Sequence, residues 1–296
     1  ETVSENVFLQ FAGFFANLAV SILGGLISLV IKITITLSSY NNFIDETQIK
    51  NAWSIVRDLC NMFFILIILI IAFATILQRE SYNLKKLLPK VIIMAILINF
   101  SLMISGFIID VSQLVMMIFA NAISTNGGEY VNTLGVQKYL ELATEGTEKD
   151  RNFFSIVTGM VMGVVFLLIA FVVMLTIMAV LAIRIVLLWI YVVLSPLAFL
   201  LSAFPAGQKY ASQWWQNFTS QVIAGPLLLF FVWLGMMTAN DIQGESFFEE
   251  GAQCFGPGQI ACPGAFLNFV IAIGMFVGGL VVTSQLSGAV GSAAGK

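Results

Sequence analysis

Long stretches of this chain carry no charged residue, and short polar segments separate them. The uncharged stretches cover residues 59–78, 91–109, 153–183, 210–240 and 251–295. A helix needs about 20 apolar residues to cross about 30 Å of hydrocarbon, and these stretches have about that length or more. Their apolar residues run continuously, whereas the strands of a membrane barrel alternate apolar and polar residues. The pattern therefore predicts membrane-spanning helices.

These segments predict an all-α, polytopic transmembrane helix bundle with about six spans. We expect the whole chain, residues 1–296, to form a single membrane domain. The predicted spans are residues 7–37, 53–78, 87–123, 153–194, 218–238 and 266–283, with an interfacial segment at 204–217 and external loops at 124–152 and 240–265. Gly24 and Gly25 interrupt the first apolar segment, which forms either one tilted or bent span or a re-entrant hairpin.

The fourth predicted span is much longer than a bilayer requires. Neither Gly, Asn nor Pro lies between Val164 and Ser195, so no hairpin is expected there. At 1.5 Å per residue, a helix over residues 153–194 extends about 60 Å, roughly twice the hydrocarbon thickness. We expect this helix to be strongly tilted or to project into the cytoplasm, and to be kinked or ended before Pro196.

The distribution of charge predicts the topology. The segment 79–90 holds the densest group of cations, Arg79, Lys85, Lys86 and Lys90, and short cationic loops stay in the cytoplasm. Six spans then place both chain ends inside. The first residue is Glu1, which is compatible with a removed signal peptide or with an arbitrary boundary. A removed signal peptide would place the N-terminus outside, in agreement only with the hairpin form of the first segment.

Composition removes several classes of function. The chain is 59% hydrophobic and 10% charged, and it contains no histidine. Zinc hydrolases, haem proteins and His-based acid/base enzymes therefore lack their usual ligands and bases. No nucleotide-binding motif GxxxxGK[ST] and no basic nucleic-acid patch occurs. We expect no enzyme activity, no cofactor or metal, and no sequence-specific nucleic-acid binding.

Arg184 stands at the end of an uncharged stretch of about thirty residues. An arginine at mid-bilayer costs at least about 2.5 kcal/mol, and such residues usually face the bundle interior or a cavity. Alternatively, the long helix reaches the cytoplasmic interface there and the side chain snorkels to water. Arg57, Asp58 and Asp110 are candidate counter-charges, although the predicted topology places Asp110 and Arg184 at opposite leaflets. The sequence favours the interfacial interpretation.

Cysteine and glycine spacing suggest local contacts. Cys254 and Cys262 lie eight positions apart in an acidic loop, where an oxidising exterior would favour a disulfide. Two thiols without histidine make a metal site less favourable. Two small-xxx-small patterns allow close helix packing or self-association, the glycines being Gly159 and Gly163 in one and Gly274 and Gly278 in the other.

Other polar and aromatic residues have predicted places within the bundle. Asn99, Ser101, Ser105 and Asn217 are expected to bond across helices, although residues of this kind also line pores. Tryptophan is enriched at membrane–water interfaces, which makes four residues candidate interfacial anchors: Trp53, Trp189, Trp214 and Trp215.

Four stretches resemble a known family. They are "WSIVRDLCNMFFILIILIIAFATIL", "YNLKKLLPKVIIMAILINFSLMISGFIID", "RIVLLWIYVVLSPLAFLLSAFP" and "QWWQNF". Together they are similar to the TrbL-like polytopic inner-membrane component of type IV secretion and conjugation systems. The resemblance covers about residues 50 to 235 and is strongest over residues 184–215, in the Arg, Trp, Ser-Pro-Leu-Ala and Trp-Trp series.

The resemblance implies a structural or channel subunit of the bacterial inner membrane. Such a subunit oligomerises as a ring around the axis of the machine and assists the transfer of DNA, protein or pilus subunits. A separate ATPase would supply the energy, and other secretion-system subunits and the lipid bilayer would be its partners. Long relatives carry extra soluble domains; we expect none in residues 1–296, so the roles of those domains are not implied here. The alternative from the residues is a secondary transporter of a small solute, although no convincing half-to-half repeat is present.

Overall fold

The structure is a computed structural model that describes residues 2–77, 84–126, 153–241, 270–271 and 273–285. Within these residues the regular elements are helices, and no strand occurs among them. The helices are α1 (Thr2–Ser38), α2 (Thr47–Ile76), α3 (Leu84–Asn126), α4 (Phe153–Ser202), α5 (Gln208–Asp241) and α6 (Ile273–Gln285), with a 3-10 turn at Pro205–Gly207. The all-α prediction is confirmed.

Five of these helices, α1 to α5, are long and apolar enough to cross a membrane. The sixth predicted span, residues 266–283, corresponds to α6, whose described part is apolar but shorter. The chain is therefore a multi-pass helical protein. Residues 208–217 of the predicted interfacial segment are the first turns of α5, and the turn at Pro205–Gly207 connects them to α4. The predicted external loops lie largely outside the described residues.

Helix α4 is a single helix of 50 residues, as its uninterrupted sequence predicted. It does not end before Pro196 but continues to Ser202. Proline has no N–H, so the carbonyl four residues earlier, at Val192, loses its helical partner. The Ser195 hydroxyl donates to that carbonyl at 2.7 Å, and both residues are fully buried. The serine therefore compensates for the proline, which lets the helix continue.

The described residues belong to two compact units. One contains Glu1–Leu37, Ile118–Val180 and Leu228–Val281, and the other contains Ser38–Met117, Leu181–Leu227 and Val282–Lys296. In the first unit, α5 and α6 pack closely through glycine. A Cβ atom at Gly235 would lie 2.6 Å from the Phe276 ring, and one at Gly279 would lie 2.5 Å from Phe231.

The second unit has a buried apolar core between α2, α3 and the end of α4. The buried members are Cys60, Phe64, Ile67, Ile71, Val91, Ile98, Phe199, Leu200 and Ala203. The Trp215 ring meets Phe199 edge-on at 5.8 Å and covers this core from α5. The α1–α2 linker also packs on this unit, because Phe43 is 1% exposed and Ile44 fills the space above Gly106 of α3. The candidate site lies in this unit.

Candidate functional site

Arg184 is a large, fully buried side chain, with 1% of its surface exposed. It lies on α4, and its guanidinium group reaches residues of α3 and α5, all of them within the second unit. A guanidinium group has five N–H donors and cannot lose its charge in practice. Each donor that is buried without an acceptor is costly, so the arrangement of acceptors decides whether this burial is stable.

Two of the acceptors are backbone carbonyls of α5. The Arg184 Nε donates to the Gln221 carbonyl at 2.8 Å, and Nη2 donates to the Val222 carbonyl at 3.3 Å. Val222 stands four residues before Pro226, which has no N–H, so its carbonyl has no partner within the helix. The proline therefore provides a buried acceptor on the surface of α5.

Gly225 allows the guanidinium group to approach this surface. A Cβ atom at Gly225 would lie 2.5 Å from the Arg184 Cζ and 2.7 Å from both Nε and Nη1. No real Cβ atom tolerates such distances, so any larger residue would push the guanidinium away. The dipeptide Gly225–Pro226 therefore has two linked roles: the glycine makes room and the proline frees an acceptor.

The remaining acceptors are side chains of α3. Nη1 donates to the Gln113 Oε1 at 3.1 Å and to the Met116 sulfur at 3.2 Å, and Nη2 donates to the Ser112 hydroxyl at 3.2 Å. The Ser112 hydroxyl in turn donates to the Val222 carbonyl at 2.6 Å. Five acceptors thus match the five N–H groups, although a thioether sulfur is a weak acceptor.

Gln113 extends the network to the α1–α2 linker. Gln113 is 1% exposed, and its side-chain amide donates to the backbone carbonyls of Ser38 and Tyr40. The Tyr40 ring contacts the Trp189 ring edge-on at 6.0 Å, and Trp189 lies five residues after Arg184 on α4. Burial, the charge of Glu46 and a hydrogen bond to Glu46 raise the pKa of Tyr40 above its ordinary value, so this phenol stays neutral at physiological pH.

All acceptors of Arg184 are neutral. Among the described residues the ion pairs are Lys50–Asp45 and Arg57–Asp58, at 2.8 and 2.7 Å, and Arg184 has no carboxylate partner there. The snorkelling interpretation of Arg184 is therefore wrong, because the side chain turns inward to α3 and α5 and is closed off from solvent. Sequence reasoning gave that interpretation preference because the acceptors are carbonyls and uncharged side chains, which hydropathy does not register.

The other candidate charges lie apart from Arg184. Asp110, one turn before Gln113 on α3, is half-buried and is not among the partners of Arg184. Arg57 pairs with the adjacent Asp58, and its guanidinium carbon lies 4.9 Å from the centre of the Trp53 ring. These two residues thus make a local surface pair in the first half of α2.

The four candidate tryptophan anchors have different surroundings. Trp53 is 8% exposed, and its indole N–H donates to the buried Ser101 hydroxyl at 2.9 Å, which links α2 to α3 as expected for Ser101. Trp214 is 9% exposed, and Trp215 and Trp189 are half-buried. Three of the four thus pack on aromatic neighbours, and Trp53 packs under Arg57. Their placement at a membrane surface stays a prediction.

The remaining candidates have simpler outcomes. Ser105 is buried and its hydroxyl has no described partner, whereas Asn99 donates to a carbonyl of its own helix. A Cβ atom at Gly274 or Gly278 would meet nothing within 4 Å, so neither glycine makes a close contact within the described residues. Cys254 and Cys262 lie outside the described residues, as do the side-chain surroundings of Gly159 and Gly163.

Sequence reasoning missed the partners of Arg184. Ser112 and Gln113 stand in an apolar helix close to Asp110, and two buried polar residues in succession there were a signal for a polar contact. The Gly225–Pro226 dipeptide was another signal, because its proline frees a backbone acceptor within a span.

Among the described residues no group of three or more His, Cys, Asp or Glu could hold a metal ion. Comparison with protein-family models, with curated proteins and with solved structures found no match.

Proposed function

We propose that this protein is a structural or channel subunit of a type IV secretion or conjugation machine in the bacterial inner membrane. In this role several copies associate as a ring, and the machine's separate ATPase and other subunits bind them. The ring assists the transfer of DNA, protein or pilus subunits. The proposal starts from the resemblance of residues 184–215 to the TrbL-like family.

The Arg184 network is the observation that carries this proposal over the alternative of a secondary transporter. A transporter uses intramembrane charges and broken helices to bind its solute and coupling ion near the midplane. Here the one buried charge of the described spans has all five donors engaged by protein acceptors. None is left for a solute, so the network serves to join α3, α4 and α5, as a subunit of a scaffold requires.

The apolar surface is compatible with contacts to lipid and to further copies. Many large apolar side chains of α2 are exposed, among them Ile55, Met62, Ile65, Phe73 and Ile76. In a membrane such residues face acyl chains or neighbouring subunits. Gly274 and Gly278 leave open space on α6, where another helix could approach closely.

Electron microscopy of the full chain in lipid nanodiscs tests the proposal. We expect a symmetric particle with several copies, and we expect the particle to be retained when the chain is isolated from native membranes together with its partners. Liposomes that contain the purified chain serve as the second arm. A monomer that drives solute uptake with a proton or sodium gradient would identify a transporter and overturn the proposal.

Substitution of Arg184 adds a functional control. We expect Arg184→Ala to reduce assembly of the multi-copy particle or secretion through it, because α3, α4 and α5 lose their shared contact. The chain should still insert into the membrane, since the substitution removes a charge that is costly in hydrocarbon. Normal assembly and secretion by this variant would contradict a scaffold role for the network.

A further inference from the structure

One backbone hydrogen bond of α5 is replaced by hydrogen bonds from other helices. Pro226 cannot donate to the Val222 carbonyl, and this carbonyl accepts instead from Ser112 at 2.6 Å and from Arg184 at 3.3 Å. The neighbouring Gln221 carbonyl accepts from the Arg184 Nε at 2.8 Å. Arg184 therefore bonds to two carbonyls in succession at the point where the helix lacks one of its own hydrogen bonds.

The bonds that hold this turn are strong but contain no ion pair. A hydrogen bond from a charged donor is about twice as strong as a neutral one, so Arg184 holds the turn firmly. Its acceptors are nevertheless neutral, and its withdrawal would not leave a buried carboxylate unpaired. Separation of a buried ion pair is far more costly, because each charge then lacks a partner. Withdrawal would still leave the five guanidinium donors in need of other acceptors, so opening costs less than separation of a buried ion pair but more than the loss of neutral hydrogen bonds.

We propose that Arg184 is a releasable lock on the proline break of α5. When the guanidinium group is engaged, the turn from Gln221 to Gly225 is closed against α3 and α4. When it withdraws, the Val222 carbonyl keeps only the hydrogen bond from Ser112, and α5 opens at Gly225–Pro226. The lock is a property of the chain itself, whether or not the chain assembles into a secretion machine.

Gln113 connects the lock to the α1–α2 linker. One end of its side-chain amide accepts from Arg184, and the other end donates to the carbonyls of Ser38 and Tyr40. Displacement of the linker would pull this amide out of position and remove one acceptor from Arg184. The linker contains the half-buried Tyr40 and the exposed Asp45, so it is a place from which a partner could release the lock.

Hydrogen–deuterium exchange of the full chain in lipid nanodiscs tests the lock. We compare wild type with Arg184→Met, which keeps an apolar stem but removes all five donors. We expect amides in residues 219–227 to exchange about tenfold faster or more in the variant, since it loses two charge-assisted hydrogen bonds to this turn. Residues 60–71 of α2, one face of which packs in the apolar core, are the reference segment and should not change.

A second substitution distinguishes a lock from a general packing role. Pro226→Ala restores an N–H that can bond to the Val222 carbonyl, so it should slow exchange in residues 219–227 relative to wild type. Combined with Arg184→Met, it should return most of the lost protection. An unchanged rate in Arg184→Met overturns the proposal, as does equal acceleration in both segments or a double variant without recovery. If Arg184→Met does not fold, Pro226→Ala alone decides, because exchange that is not slowed contradicts the lock.

Discussion

At the scale of the residue, the structure shows how a permanent charge can be buried among neutral groups. Arg184 is stable inside the protein because backbone and side-chain acceptors replace the water that it loses. Two of the acceptors are held by further hydrogen bonds: Ser112 donates to the Val222 carbonyl, and Gln113 donates to the α1–α2 linker. These hydrogen bonds orient Ser112 and Gln113 as acceptors for Arg184, which reduces the entropy lost when the contact forms.

Gly225→Ala should weaken the site through overpacking alone. The added methyl group would lie within 2.7 Å of three guanidinium atoms, so Arg184 must move away from α5. We expect a loss of about 1–3 kcal/mol in the free energy of unfolding, the usual cost of an added methyl group in a packed core. Unfolding in mild detergent measures it. Gly25→Ala is the control, because a Cβ atom there meets nothing within 4 Å, and equal effects of the two changes would contradict the geometry of the site.

Two tryptophans offer a matched test of buried hydrogen bonds. Trp53→Phe removes the donor to Ser101, which is 0% exposed, and should cost about 1–3 kcal/mol because the hydroxyl keeps no bond from this indole. Trp189→Phe removes an indole N–H that is buried without a described partner. The variant loses buried ring area but no longer buries an unpaired donor, so the two effects oppose each other and the net change in the free energy of unfolding should be small. The same unfolding measurement compares them, and a larger loss for Trp189→Phe would refute this ordering.

At the scale of the element, two of the prolines within helices, Pro196 and Pro226, each have another group that bonds to the carbonyl that the proline leaves free. In α4 the neighbouring Ser195 does this for Pro196, and in α5 residues of two other helices do it for Pro226. The first arrangement is local and keeps α4 continuous within itself. The second makes the continuity of α5 depend on residues of α3 and α4. The two helices therefore differ in the source of the replacement hydrogen bond.

Ser195→Ala tests the local arrangement. The variant leaves the Val192 carbonyl without its hydroxyl donor in a fully buried position, which should cost about 1 kcal/mol or somewhat more in the free energy of unfolding. In a chain that already carries Pro196→Ala, the restored N–H bonds to the same carbonyl, and Ser195→Ala should then cost little. A double-mutant cycle measures this coupling. Equal costs in both backgrounds would show that the serine does not compensate for the proline.

At the scale of the whole molecule, helix content was predictable and helix faces were not. Apolar length alone identified α2 to α5, because only a helix satisfies its backbone across hydrocarbon. The side of each helix that faces the protein could not be read from the same sequence, since lipid-facing and buried positions are both apolar. On α2, for example, Ile65 is 76% exposed whereas Ile67 is 8% exposed, in one run of identical character. The partners of Arg184 were hidden for the same reason, as backbone carbonyls have no signature in side-chain hydropathy.

Spin labels at these two positions of α2 test which face meets the membrane. In a variant whose three cysteines are replaced by alanine or serine, we introduce Ile65→Cys or Ile67→Cys and attach a nitroxide in lipid nanodiscs. The label at position 65 should collide often with oxygen, which dissolves in acyl chains, and rarely with a water-soluble nickel chelate. The label at position 67 should be immobile and protected from both, because that side chain packs in the core of α2, α3 and α4.

Ready access of the nickel chelate to position 65 would contradict a membrane-spanning α2. Protection of position 65 from oxygen in the multi-copy particle alone would instead place this face between copies, since the same side chain is exposed in the single chain.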